Sequence, residues 1–163
     1  LNAYADEGVA GPWFYTLAAG SELQDARPWR GAAADAGYAL RVHGPNGFLR
    51  EFHGDGIGDA GLQAEADYDA AAQCLLLTLV NAGEQPCALR VRDGYRGDGV
   101  EQAITLAASD RTVLRLPLQA QHHWYDLTID SVTLPQWRRR LAGHIETGRP
   151  SMSDPAIGRA VDA

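Results

Sequence analysis

Lysine is missing from this chain: all 14 basic residues are arginines. That excludes a lysine Schiff base and the lysine of a phosphate-binding loop within this chain, although a GC-rich coding sequence that also favours alanine and glycine accounts for the bias. Positive charge is short in total as well. Against 21 acidic residues the balance is −7, with a pI near 5.1. Such a chain repels nucleic-acid phosphates and anionic lipid, so it carries no overall electrostatic footprint for either. Long apolar runs are absent too. The longest, Cys74 to Val80, falls far short of the roughly 20 residues of a membrane-spanning helix. The amino terminus lacks the basic, apolar and small-residue succession of an export signal, but a piece of a longer polypeptide would not carry its parent's signal.

Cysteine is scarce, at two residues. If residues 73–80 and 87–93 form a hairpin across 81–86, Cys87 sits opposite Val80 and Cys74 lies at the far end. A disulfide needs Cα atoms within about 7 Å, so two free, mostly buried thiols are expected. No cysteine pair has zinc spacing, and neither Gly-x-Ser-x-Gly nor His-Glu-x-x-His occurs.

What the chain does contain is a repeat. Thr16-Leu17-Ala18-Ala19 returns as Thr105-Leu106-Ala107-Ala108, an offset of 89, which Pro28 and Pro117 and also Gly54 and Gly143 keep. Tyr38-Ala39-Leu40 returns as Tyr125-Asp126-Leu127 at an offset of 87. Two related modules are therefore expected. The division reads as a partial module over 1–54, a linker over 55–61, a complete module over 62–147 and a polar, proline-containing tail over 148–163, loosely held from Arg149 onward. The counterpart of residues 62 to 90 would lie before Leu1, so the chain is expected to start inside a module.

At 45% hydrophobic and 21% charged residues, the composition is that of an ordinary globular protein. Its local pattern is β. Tyr38, Leu40 and Val42 share one face, as do Tyr125, Leu127 and Ile129, and as do Leu114, Leu116 and Leu118, where Pro117 places the strand at a sheet edge or near its end. Gly44-Pro45-Asn46-Gly47 supplies proline for φ near −65° and Asn-Gly for positive φ, closing a hairpin from Tyr38–His43 to Phe48–His53. Seven strands are predicted in the complete copy, at 62–68, 73–80, 87–93, 102–107, 112–118, 124–130 and 137–145. Four more are predicted near 13–17, 22–27, 38–43 and 48–53. The fold class is all-β, an antiparallel sandwich of immunoglobulin or fibronectin type preceded by a truncated relative of itself. The alanine-rich stretches 32–36 and 69–73 are too short for stable helices and read as turns.

The string Tyr38 to Phe52, together with Trp124-Tyr125-Asp126-Leu127-Thr128, the run Arg138 to Gly148 and Ser153-Asp154-Pro155, resembles the carboxy-terminal region of bacterial phosphocholine-preferring phospholipases C. That family ends in two copies of a small β-rich domain, and Gly44-Pro45-Asn46-Gly47-Phe48 is the signature turn. The resemblance implies a non-catalytic, accessory portion of a secreted or periplasmic phosphodiesterase that cleaves phosphatidylcholine or sphingomyelin. The catalytic domain would lie upstream as its partner, so no catalytic residue is carried over, no cofactor or metal is implied, and the chain alone is expected to be inert. A stand-alone carbohydrate-binding or adhesion sandwich is the alternative, which exposed coplanar tryptophans would favour.

His122-His123, with His144 or Asp126 nearby, has ligand chemistry, but neighbours in a strand face opposite ways, which favours a solvated turn before Trp124. Gly54 to Asp59 has oxygen donors without calcium-loop spacing and reads as linker. Arg96-Gly97-Asp98 spells an integrin-type tripeptide inside a glycine-rich loop; Tyr95, Arg96 and Asp98 are the loop residues set to contact something else. Arg138-Arg139-Arg140 has the charge to pair with phosphate, but in an alternating strand Arg139 points away from its two neighbours, which favours a solvated face beside buried Trp137 and Leu141. Trp13, Phe14, Tyr15, Trp29, Tyr95 and Trp124 could form an interfacial patch or a cage for a choline ammonium, and core packing explains most of them equally well. Trp13 and Trp124 are the aromatic candidates for a lipid or ligand surface.

Overall fold

A computed structural model describes residues 1–5, 11–18, 20–25, 37–55, 61–97 and 101–157. Among these residues the chain is all-β, with eleven strands and a single 3₁₀ turn at Gln119–Gln121. The strands form two antiparallel sheets packed as a sandwich over the C-terminal half.

The smaller sheet begins with a hairpin. Strand β5 (Leu62–Asp69) turns back into β6 (Cys74–Asn81). The turn between them is set by Asp69, whose Oδ1 accepts the Ala72 N–H at 2.9 Å while Oδ2 accepts from Arg115 at 2.7 Å. The amide first, and then the guanidinium, hold this carboxyl below its ordinary range. Strand β9 (Asp110–Pro117) flanks β6 on its other side, giving the order β5-β6-β9. Pro117 ends an edge strand, where its missing N–H breaks no ladder.

The facing layer contains β7 (Cys87–Asp93), β8 (Glu101–Leu106), β10 (Trp124–Ser131) and β11 (Arg138–His144). Alternation dictates what meets in the middle. Leu75, Leu77 and Leu79 of β6, all at 0% exposure, pack with Leu89, Val91, Leu106, Leu127, Ile129 and Leu141. Each fully buried leucine of this kind contributes about 1.5–3 kcal/mol. Trp137 is buried in the same core, and its indole N–H donates to Leu62 O at 3.2 Å, fixing one layer to the other.

The N-terminal half adds strands to the larger sheet only. Strands β1 (Asn2–Ala5), β2 (Trp13–Phe14), β3 (Tyr38–His43) and β4 (Leu49–Gly54) extend it to the order β2-β1-β3-β4-β11-β10-β7-β8. The β3–β4 hairpin closes as the sequence predicts, with Asn46 and Gly47 at φ 54° and 68° and Gly44 N–H donating to Phe48 O.

Three expectations need correction. The strand predicted near 13–17 is reduced to Trp13–Phe14, because β1 offers it only two ladder positions. Residues 22–25 form no strand, having no ladder partner among the described residues. Strands β6 and β7 form no hairpin, since the chain crosses from one sheet to the other at 82–86. Cys74 and Cys87 are nonetheless both buried free thiols. Trp29, Asp98, the 56–60 part of the linker and the 32–36 alanine run lie outside the described residues.

Candidate functional site at the junction of the two halves

The halves are joined by β4 and β11, paired antiparallel from Arg138 opposite His53 to Ala142 opposite Leu49. Under the 89-residue offset Leu49 corresponds to Arg138 and His53 to Ala142, so corresponding strands lie edge to edge. Glu51 and Arg140, themselves counterparts, face each other at the centre.

Parity then determines where two arginines go. Arg139 lies between Trp137 and Leu141 at a spacing of two, and Arg50 lies likewise between Phe48 and Phe52, so both side chains share the inner face with apolar residues. Each is satisfied in the same way. Arg139 Nη1 donates to Arg138 O at 2.8 Å and to His53 O at 2.6 Å, and Nη2 to Tyr38 Oη at 2.6 Å. Arg50 Nη1 donates to Leu49 O at 2.8 Å and to Ala142 O at 2.9 Å, and Nη2 to Tyr125 Oη at 3.0 Å. Each arginine thus reaches from its own half to the tyrosine of the other. The ring contacts match as well: Arg139 lies 4.5 Å from the Trp137 ring and 5.6 Å from Tyr38, Arg50 4.3 Å from Phe48 and 5.7 Å from Tyr125.

A buried guanidinium is tolerable only with its donors engaged, and here backbone carbonyls and phenols engage them. Tyr125 also meets Tyr68 Oη at 2.5 Å. Burial first, and the bond to Tyr68 next, push the Tyr125 hydroxyl well above its ordinary range, so it stays protonated. Chemically the cluster is a clamp across the seam.

The outer face of the seam carries a row of alternating charge. Arg41 pairs with Glu51 at 2.5 Å, Glu51 lies 3.9 Å from Arg140, and Arg140 makes two bonds to Asp126 at 2.8 and 2.7 Å. Asp126, the largest influence, raises the Arg140 pKa. Asp130 continues the pattern, accepting from Arg92 and Arg138.

The signature turn is held at one end of this seam. Gly47 packs against the Trp124 indole so closely that an added Cβ would sit 2.7 Å from Cζ3, and Asn46 Nδ2 donates to Glu146 Oε1 at 2.7 Å. Trp124 Nε1 donates to Met152 O at 3.0 Å, its ring centroid lies 4.7 Å from that of His144, and His144 Nε2 meets Ser151 Oγ at 2.7 Å. Residues 151–154 are further tied by Tyr95 Oη donating to Asp154 Oδ1 at 2.7 Å.

The structure does not gather the sequence candidates into one site. Tyr95 and Arg96 lie in the loop after β7, where Arg96 pairs with Asp93 at 3.3 Å. Trp13 is in β2 and Trp124 in β10, five strand positions apart in the sheet order, or roughly 24 Å at the usual strand spacing. Phe14 is 71% exposed, whereas Trp13 and Tyr15 line a groove. His122 and His123 are in a left-handed turn at φ 52° and 71°, not in a strand. Among the described residues no group of three or more His, Cys, Asp or Glu is placed to hold a metal ion. Arg50 and Arg139 are what the sequence reading missed: Arg139 is buried at 8% exposure. Their shared parity with flanking apolar residues was the available signal.

Comparison with known proteins places these two halves together. The family described as bacterial phospholipase C, C-terminal domain, matches residues 1–55 and 62–144. The chain is 38% identical over 160 residues to a non-hemolytic phospholipase C of Burkholderia pseudomallei, covering 96% of this chain and 22% of that protein. It is 32% identical over 153 residues to a non-hemolytic phospholipase C of Pseudomonas aeruginosa, with 90% and 22% covered. A hemolytic phospholipase C of the same organism is 35% identical over 170 residues, with 91% and 22% covered. The chain thus spans about a fifth of the length of these relatives, and it belongs to the bacterial phospholipase C C-terminal domain family.

Proposed function

We propose that the chain is a non-catalytic accessory region of a secreted or periplasmic bacterial phospholipase C acting on phosphatidylcholine or sphingomyelin. It packs on an upstream catalytic domain and supports that domain's engagement with a lipid surface. The observation that carries this reading is the family match across both halves, combined with the 22% share of relatives named phospholipase C. We divide it into related modules at 1–54 and 62–147, a linker at 55–61 and a tail at 148–163. The three-on-four strand arrangement of the second supports an immunoglobulin or fibronectin type of sandwich. Tyr95, Arg96, Asp98, Trp13 and Trp124 are the proposed contact residues, and the turn Gly44 to Phe48 buttresses Trp124.

Cosedimentation with phosphatidylcholine vesicles, and pull-down with the catalytic domain of the Burkholderia relative, test the role. Binding to either supports it, and binding to neither removes its basis. Turnover of a phosphodiester by this chain, abolished by a point change within it, would instead establish a hydrolase. A carbohydrate platform gains no support from the tryptophans among the described residues: Trp137 is in the core, and Trp13 and Trp124 are far apart in the sheet.

A further inference from the structure

On the outer face of the large sheet, β3 carries Ala39 and Arg41 two residues apart, so both point the same way. Ladder pairing sets Tyr4 of β1 opposite Arg41, and His53 of β4 opposite Ala39. The short methyl of Ala39 leaves a cavity of about 90 Å³, lined by Tyr4, Ala5, Ala39, Leu40, Arg41 and His53. Its polar groups are donors with capacity to spare. Arg41 gives its Nε to Glu51 at 2.5 Å, and among the described residues no protein group bonds its Nη atoms, the Tyr4 hydroxyl or the His53 ring nitrogens. Glu51 steadies the guanidinium from one side, which lowers the entropy cost of a second contact.

The other half of the molecule carries an anion at the matching position. Ala39 corresponds to Asp126 at the offset of 87, and His53 to Ala142 at 89. The pairing is the same, with Ala39 opposite His53 and Asp126 opposite Ala142. There the Asp126 carboxylate accepts two bonds from Arg140, at 2.8 and 2.7 Å. Here the carboxylate is replaced by a methyl and the bulk moves to the facing strand, leaving space beside a guanidinium, an imidazole and a phenol. An apolar guest would strip water from those three groups and give nothing back. An oxyanion accepts from all of them.

We propose that this cavity binds one tetrahedral oxyanion, a phosphate group, through Arg41, His53 and Tyr4. Three donors on three strands match three oxygens of a phosphate better than the two of a carboxylate. The cavity's 90 Å³ is about three water volumes, so any substituent on the phosphate projects into solvent. The chain's charge of −7 acts at long range, where salt screens it beyond about 10 Å, and does not decide a contact site. The site stands independently of the accessory role; only a lipid source for the phosphate rests on that reading.

The test titrates inorganic phosphate into the nitrogen-15-labelled chain, with chloride holding ionic strength constant. The amides of Ala39, Arg41 and His53 and the Arg41 Nε–H signal should shift and saturate, and acetate should bind about tenfold more weakly. Ala39→Asp, which restores the carboxylate of the other half, and Arg41→Gln should each weaken phosphate about tenfold. Arg90→Gln removes an equal charge from the same face four strand positions away and should change binding less than about twofold. Cosedimentation with phosphatidylcholine vesicles then separates the sources: a fall in Ala39→Asp identifies a lipid phosphate, and no difference from the parent chain identifies a soluble phosphate compound. Shifts that never saturate, binding unchanged by Ala39→Asp and Arg41→Gln, an equal loss in Arg90→Gln, or acetate binding as tight as phosphate overturns the proposal. The phosphate titration involves neither lipid nor catalytic domain, so its failure and failure of the accessory role are distinguishable.

Discussion

Leu40 and Leu127 occupy the same place in two similar hairpins, each opposite the same kind of neighbour in an antiparallel ladder. Leu127 is 1% exposed, whereas Leu40 faces a groove. The period-2 pattern assigns both residues to the inner face of a sheet, and it does so correctly. How much that assignment contributes to stability depends on the opposite layer, which β6 supplies for one leucine. Strand placement is therefore a local property, and burial is a property of the assembled layers.

The sharpest way to break the comparison is to truncate both leucines. Leu127→Ala should cost about 3 kcal/mol and Leu40→Ala about 1 kcal/mol, measured by urea denaturation; equal losses would mean the two halves are equally covered. Next in size is the clamp. Arg139→Ala should cost about 2–3 kcal/mol because it removes the donors to the Tyr38 hydroxyl and the His53 carbonyl, and Arg50→Ala, in a less buried setting, about half as much. A double-mutant cycle with Tyr38→Phe should show coupling, and additivity would mean that the Arg139–Tyr38 contact contributes nothing. Gly47→Ala should cost about 1–2 kcal/mol, since φ is 68° and the new methyl meets Trp124. Its melting transition should drop while Gly97→Ala, with open space around it, drops less.

The smallest effect is a pH slope. The folded Tyr125 hydroxyl has a pKa raised above its ordinary value of 10.0, so the unfolded state releases its proton first. Its contribution is complete below pH 10.0 and is lost as pH rises toward the folded value. Stability measured from pH 9 to 11 should therefore fall, and fall less steeply in Tyr125→Phe; identical slopes would show that Tyr125 does not titrate differently on folding.

Much of the strand pattern was legible in the sequence because its signals are local. Tyr38–His43, with its Pro-Asn-Gly turn, needed no tertiary information, and Pro117 marked an edge by itself. Residues 22–25 were misread because a strand requires a partner, and nothing in their own pattern reports whether one is present. The cross-sheet step at 82–86 was misread for a similar reason, since a short loop between two apolar runs looks the same whether it closes a hairpin or bridges two layers. Strand parity turns Arg139 away from Arg138 and Arg140 and toward Trp137 and Leu141, but nothing in the local pattern shows that the His53 carbonyl and the Tyr38 hydroxyl are there to receive its charge inside. The reciprocity of Arg50 and Arg139 arises only when β4 meets β11, a pairing between residues far apart in the chain that no window of sequence contains.

That edge-to-edge meeting also has a directional consequence. Within the large sheet alone, the order β2-β1-β3-β4-β11-β10-β7-β8 reads the same from both edges about the Glu51–Arg140 pair, so the turn at 44–48 and its counterpart at 132–137 aim toward opposite poles of the sheet. A planar bilayer approaching either pole along the strand direction is met by one of these turns, never by both. Any duplicated loop chemistry is thereby divided between two opposed surfaces.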